Sequence, residues 1–268
     1  MTLVETRNLC LDVPDMGHRV LLGRRRTLSI LRNINLAIDR GETLGIVGES
    51  GSGKTSLGRT LLRLYQPSTG ELHFDGSDIT RASQVQMKPL RRRMQIIFQD
   101  PQSSLNPRLT IAAILATPLR LHGLDSSSLA IAGLLDRVGL PSSAMGRYPH
   151  QISGGQRQRV GIARAISVNP EFIVADEIVS GLDASTQAQV LDLLRGLKDQ
   201  FKLTLAFISH DLSVIRHLCE RVVIMRGGEI IEEGATADVF RAPKSEFTRA
   251  LISAIPLPSP DPQWLWRD

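Results

Sequence analysis

The sequence predicts an α/β fold, with a mostly parallel sheet, antiparallel β elements and an inserted helical segment. Three observations lead there. Predominantly apolar runs recur at 42–47 (ETLGIV), 95–98 (QIIF), 172–175 (FIVA) and 203–208 (LTLAFI), and such runs suit strands covered on both faces. Helix-forming sequence alternates with them, as in a layered α/β domain. Between residues 110 and 167 strand signals vanish and helical periodicity takes over.

Taken in order, the run 42–47 ends in glycines and passes at Lys54 into amphipathic, helix-forming sequence reaching Leu64. Residues 71–74 read as a strand running into an Asp75-Gly76 turn. The run 95–98 is a buried strand ahead of the helical segment, and 172–175 and 203–208 supply two more. Residues 222–225 and 229–232 flank Arg226-Gly227-Gly228 and read as a hairpin. Past Ile255, PLPSPDPQ is proline-rich and reads as extended chain. No repeat of solenoid or propeller period is visible. The expected organisation is one domain, with a core at about 1–99 and 168–240, a helical subdomain at 100–167 and a C-terminal extension at 241–268.

Composition narrows the function. With 268 residues, 42% hydrophobic and 22% charged, the chain can bury a core, which excludes wholesale disorder. Aromatics at 4% argue against a platform that stacks single-stranded bases. The net charge is +5, carried by 27 Arg and 5 Lys. The basic runs, Arg24–Arg26 and Arg91–Arg93, are too short for a nucleic-acid arm, so no nucleic-acid partner is expected. Cys10 and Cys219 are too few and too far apart for a metal knuckle or a disulfide framework, which suits a reducing compartment. MTLVETR lacks the basic start and apolar run of a secretory leader. The longest apolar stretch, 110–119, is about half a membrane span and contains Pro118. No transmembrane helix is expected, and any work at a membrane would go through partners.

Gly48-Glu49-Ser50-Gly51-Ser52-Gly53-Lys54-Thr55, followed by Ser56, fits G-x-x-x-x-G-K-[ST] between a strand and a helix. Glycines let successive N–H groups turn inward as an anion nest, and the helix N-terminus adds partial positive charge. Lys54 is placed to reach the β- and γ-phosphates and the Thr55 hydroxyl to ligate Mg²⁺, so the chain is expected to bind a nucleoside triphosphate. Farther on, Phe172-Ile173-Val174-Ala175-Asp176-Glu177 is an apolar strand ending in two carboxylates. Asp176 would enter the Mg²⁺ shell at the sheet edge, and Glu177, pointing to the other side of the strand end by the strand period of two, would orient or deprotonate the attacking water.

Ile152-Ser153-Gly154-Gly155-Gln156, within QISGGQRQRVGIARAI, closely resembles the signature segment of ATP-binding-cassette ATPases, a P-loop NTPase family. The other motifs stand in family order: the phosphate loop, Gln99 in IIFQDP, the VADE strand, Ser180-Gly181-Leu182-Asp183 and His210 in FISHD. The resemblance implies that Gln99 contacts Mg²⁺ and the attacking water, that His210 contacts the γ-phosphate, and that Asp183 lies across a dimer interface. Ser153 and the two glycines, opening a helix, form a second anion site on their own chemistry. In the family the two sites meet in trans: each ATP lies between one subunit's phosphate loop and the other's signature helix.

A narrower resemblance, to the oligopeptide/dipeptide permease and nickel importer ATPases, rests on Ser103-Ser104-Leu105-Asn106-Pro107-Arg108 and on FTRALISAIP at 247–256. It implies an ATPase subunit energising a bacterial importer, most readily of peptides, with nickel, glutathione or glycosides as alternative cargoes. The implied partners are two membrane-spanning permease subunits, a second ATPase subunit of the same or a paralogous chain, and indirectly an extracytoplasmic substrate-binding protein. The implied location is the cytoplasmic face of the inner membrane. A soluble cassette accessory to another enzyme complex is the alternative reading. Where the family places an adenine-stacking ring, near Val13, residues 11–14 carry no aromatic, and Ile178 stands where a proline usually follows the acidic pair.

Overall fold

The computed structural model describes residues 1–14 and 27–254, which divide into two compact units. The first comprises the described residues of 1–81 together with 207–254, and the second comprises 82–206.

The first unit opens with two long strands, β1 (Thr2–Pro14) and β2 (Thr27–Asp39), paired antiparallel. Their register slips four times, so the apolar side chains that reach the core, Leu3, Val4, Leu9 and Leu11, do not keep strict alternation. In β1 that irregularity blurs the alternation that would reveal a strand, whereas β2 alternates from Ile34 to Ile38. β3 (Thr43–Gly48) is buried at every position, as its apolar run predicts. Helix α1 (Lys54–Leu61) is shorter than the amphipathic pattern suggests, because Arg63 takes a left-handed conformation and ends it. β4 (Thr69–Phe74) and the short β5 (Ser77–Asp78) complete a four-stranded antiparallel sheet in the order β2-β1-β4-β5.

In the second unit, α2 (Gln84–Arg93) starts on a capping box between Ser83 and Gln86. The arginine run fills its last turn, where the helix dipole favours cations. Arg93 pairs with Glu171, and the Arg92 Nε donates to the Val168 carbonyl at 3.2 Å. β6 (Met94–Ile97) runs parallel to β7 (Phe172–Asp176), from Met94 opposite Phe172 to Ile97 opposite Ala175. Every regular element described between them is helical: α3 (Pro101–Ser104), α4 (Ile111–Leu121), α5 (Ser128–Arg137), two 3₁₀ turns (Ser142–Gly146 and Pro149–Gln151) and α6 (Gly154–Ile166). Thr110 and Ser127 cap α4 and α5, and Ile111, Leu115, Leu134 and Leu135 bury their apolar faces. Each such fully buried side chain contributes roughly 1.5–3 kcal/mol. α7 (Ala184–Phe201) follows β7, and the Thr204 N–H bonds the Glu171 carbonyl at 3.0 Å where β8 (Thr204–Ile208) begins. β7 and β8 are buried at every position.

The chain returns to the first unit within β8. After α8 (Leu212–Leu218), β9 (Arg221–Arg226) lies parallel to β3, from Leu44 opposite Arg221 to Gly48 opposite Met225. β9 and β10 (Glu229–Ala235) form the expected hairpin around Gly227 and Gly228. Two helices close the described chain, α9 (Thr236–Arg241) and α10 (Glu246–Ser253). Cys10 and Cys219 are both free thiols. The arginine run at 24–26 and the proline-rich tail lie outside the described residues.

Candidate functional site

β3 delivers the chain into the phosphate loop. A Cβ on Gly48 would stand 2.2 Å from the Met225 carbonyl oxygen and 2.6 Å from the Ser52 hydroxyl, so only glycine fits there. Lys54 folds back over the loop with 6% exposure, its Nζ donating to the carbonyls of Gly48 at 2.7 Å and Glu49 at 2.8 Å. The ammonium is thus held inside the curve made by Gly48, Glu49, Ser50, Gly51, Ser52 and Gly53. The Ser52 hydroxyl is 5% exposed and makes no hydrogen bond, an orphaned donor inside a loop whose chemistry calls for phosphate oxygens. Thr55 and Ser56 stand in the first turn of α1, where dipole and backbone N–H groups favour an anion.

The loop is braced by a turn that motif reading passes over. The Gly228 N–H donates to the Ser52 carbonyl at 3.1 Å, and the Gly228 carbonyl accepts from Arg32 at 2.8 Å. In sequence the Gly227-Gly228 pair signals a hairpin and nothing more, because its contact with the loop is long-range. His210 belongs to the same unit. It follows Ser209, whose N–H bonds the Ile46 carbonyl of β3 at 3.2 Å, and it precedes Asp211, which caps α8.

In the second unit β7 ends at Asp176, a carboxylate 2% exposed. Glu177 then leaves the strand in a left-handed conformation, φ 48°. Its direction is therefore set by this turn and not by strand alternation. The Ser180 N–H and hydroxyl both donate to the Glu177 carbonyl, at 3.1 and 2.8 Å, and fix the turn. The Glu177 carboxylate accepts a hydrogen bond from the Gln99 Nε2 at 3.0 Å, joining two residues that the sequence separates widely. Ile178, in the place of a proline, is buried.

The signature residues open α6 as a reciprocal cap. The Gln156 N–H donates to the Ser153 hydroxyl at 3.2 Å, and the Ser153 N–H donates to the Gln156 side-chain oxygen at 3.1 Å. The N–H groups of Gly154 and Gly155 belong to the first turn, which has no acceptors within the helix. A Cβ on Gly155 would meet the Thr186 methyl at 2.6 Å, so the glycine lets α6 approach the start of α7. That start is capped by Asp183, which accepts from the Ser185 hydroxyl at 2.6 Å, the Thr186 N–H at 2.9 Å and the Thr186 hydroxyl at 2.7 Å. These bonds, led by that from Ser185, hold its carboxyl far below the usual carboxylate range. A cavity of about 340 Å³ is lined by Gln99, Gly154, Gln158 and the Ser180–Leu182 turn, so three of the predicted motifs border one space.

The phosphate loop and His210 thus belong to the first unit, and Gln99, Asp176, Glu177, the signature residues and Asp183 to the second. Val13 sits in β1 opposite Leu28, and residues 15–26, next in the chain, lie outside those described.

Comparison with known proteins accords with this geometry. A family model described as ABC transporter matches residues 31–180. A Brucella ovis protein named for peptide import and ATP binding is 50% identical over 241 residues, covering 89% of this chain and 76% of its own. The oligopeptide transport ATP-binding protein OppF of Bacillus subtilis is 45% identical over 242 residues, covering 88% and 79%. Among solved structures, an ATP-binding cassette captured as a dimer in a post-hydrolysis state with ADP and phosphate superposes with a TM-score of 0.77 at 30% identity. It covers 87% of this chain and 99% of its own. The expected fold and family resemblance are both borne out, and the chain belongs to the ABC transporter family as an ATP-binding, ATP-hydrolysing cassette.

Proposed function

We propose that this cassette energises a bacterial importer of peptides, docked on the cytoplasmic face of the inner membrane against two permease subunits and fed by an extracytoplasmic binding protein. The cargo class is supported by the names of the relatives, which speak of peptide and oligopeptide import. Peripheral attachment accords with the helices: among the described residues none is long and apolar enough to cross a membrane. Residues 100–167 are read as the helical subdomain, since every element described there is helical.

The mechanism is supported by two separate glycine-rich helix starts in one chain, read here as anion-binding ends: the loop around Lys54 and the signature cap at Ser153–Gln156. A second copy or a paralogous cassette, facing head to tail, offers its signature end to the nucleotide held by the first. ATP then joins the two subunits, and its hydrolysis releases them, a switch of the γ-phosphate type. In this reading the loop N–H groups, Lys54 and the Ser52 hydroxyl hold the phosphates. Glu177 orients and deprotonates the attacking water, while Gln99 holds its carboxylate and His210 contacts the γ-phosphate. Asp183 stands at the subunit boundary. The Thr55 hydroxyl, the Asp176 carboxylate and the Gln99 carboxamide are hard oxygen donors of the kind Mg²⁺ prefers, and they would hold it. The ion would supply charge neutralisation on the phosphate oxygens.

The test is to purify the tagged chain from its own cell's membranes and identify what accompanies it. Two polytopic permease subunits are expected. Recovery of soluble enzymes alone would overturn the transport reading and leave the ATPase standing.

A further inference from the structure

Arg164 lies on α6, eleven residues beyond Ser153, or about 16 Å along the axis at the α-helical rise. Its surroundings are unusual for a cation. It is partly buried, and no carboxylate pairs with it among the described residues. Burial accordingly pushes its pKa below the ordinary arginine value. Holding a guanidinium in such a place costs desolvation, so the fold gains something from it.

Its two contacts show what. The Nη1 donates to the Ser104 carbonyl at 2.6 Å, and the guanidinium carbon stands 5.9 Å from the centre of the Phe98 ring. Phe98 immediately precedes Gln99, and Ser104 ends the short helix that follows it. One planar group therefore holds the segment carrying Gln99 at both ends. Gln99 in turn donates to the Glu177 carboxylate at 3.0 Å. A lysine could supply the charge but not the flat face and the forked donors together.

We infer that Arg164 is a positioning residue for hydrolysis: it registers the Gln99 segment against the signature helix, and through Gln99 it sets the orientation of the Glu177 carboxylate. This rests on the roles proposed above for Gln99 and Glu177. Nucleotide enters at the other end of α6, so the guanidinium gives that helix a mechanical hold on the water-activating pair without itself touching substrate.

A double-mutant cycle on the full-length chain tests it, with ATPase rates normalised to the fraction of protein that binds nucleotide. Arg164→Gln is expected to lower kcat about tenfold with KM for ATP changed less than about twofold. Gln99→Ala is expected to lower kcat as well, and adding Arg164→Gln to it should cost nothing further. Fully multiplicative losses would overturn the positioning role. So would an unchanged kcat in Arg164→Gln. An unchanged kcat in Gln99→Ala alone would instead refute the role given to Gln99. Should Arg164→Gln fail to fold, Arg164→Lys serves in the same cycle: it keeps the charge, loses the stacking face, and should show the same dependence on Gln99. Full activity of Arg164→Lys would overturn the inference.

Discussion

At the scale of single residues, the phosphate loop shows how a short motif dictates its own geometry. Gly48 admits no side chain because the Met225 carbonyl fills that space, and the Lys54 ammonium is satisfied by two loop carbonyls. Lys54→Ala removes the one cation buried in the loop while leaving the strand and helix intact. ATP affinity, measured by titration calorimetry, should fall at least about tenfold, in line with the loss of a charge-assisted contact. Unaltered affinity would contradict the loop assignment. Glu177 makes the complementary point. Its left-handed backbone costs about 1–3 kcal/mol for a non-glycine residue, and two bonds from Ser180 stabilise the turn. The local strain aims the carboxylate at Gln99.

Among elements, those whose signal is local were legible in the sequence, and those built by distant contacts were not. β3, β7 and β8 announce themselves because each is buried on both faces and therefore apolar throughout. The capping of α6 by Ser153 and Gln156 is readable from four consecutive residues. β1 escapes notice because bulges interrupt its alternation, and the bracing of Ser52 by Gly228 escapes because it spans most of the chain. Arg164 reads as one arginine among 27, its meaning being set by Phe98 and Ser104, far upstream.

The last helix supplies a pH test at this scale. Glu232, in β10, is 7% exposed and accepts the N–H groups of Lys244 at 2.8 Å and Ser245 at 3.0 Å, anchoring the approach to α10. Burial raises its pKa, but those two bonds and the Thr248 hydroxyl outweigh the penalty and hold it below the ordinary glutamate value. A lowered folded pKa gives stability that is present above the unfolded pKa and lost as pH falls through the folded one. Glu232→Ala should therefore lower the denaturation midpoint at pH 7, with the gap to the unaltered chain narrowing as pH drops below about 4.5, the ordinary glutamate value. A gap independent of pH would show that packing alone, and not the charge, secures the helix.

For the whole molecule, the proposed mechanism turns on two places read as phosphate-binding, the loop around Lys54 in one compact unit and the Ser153–Gln156 cap in the other. A self-sufficient ATPase needs one such end. Two make sense if nucleotide is shared between chains, and the solved relative with ADP and phosphate is itself a dimer. In the proposed mechanism, sharing also links hydrolysis to separation of the subunits. The order of the motifs along the chain was legible in full. The pairing of Gln99 with Glu177 was not, since only folding brings residues 78 positions apart into contact.

In the proposed mechanism ATP joins two chains and hydrolysis parts them. The most direct test is sedimentation of the Glu177→Gln variant with and without Mg-ATP. The substitution keeps the phosphate loop and removes only the carboxylate proposed to activate water, so turnover should fall about a hundredfold or more while binding survives. Without nucleotide the variant should sediment as a monomer, and with it as a dimer carrying two uncleaved ATP molecules. A variant that binds ATP with full stoichiometry yet stays monomeric, or that turns over at the unaltered rate, would contradict it.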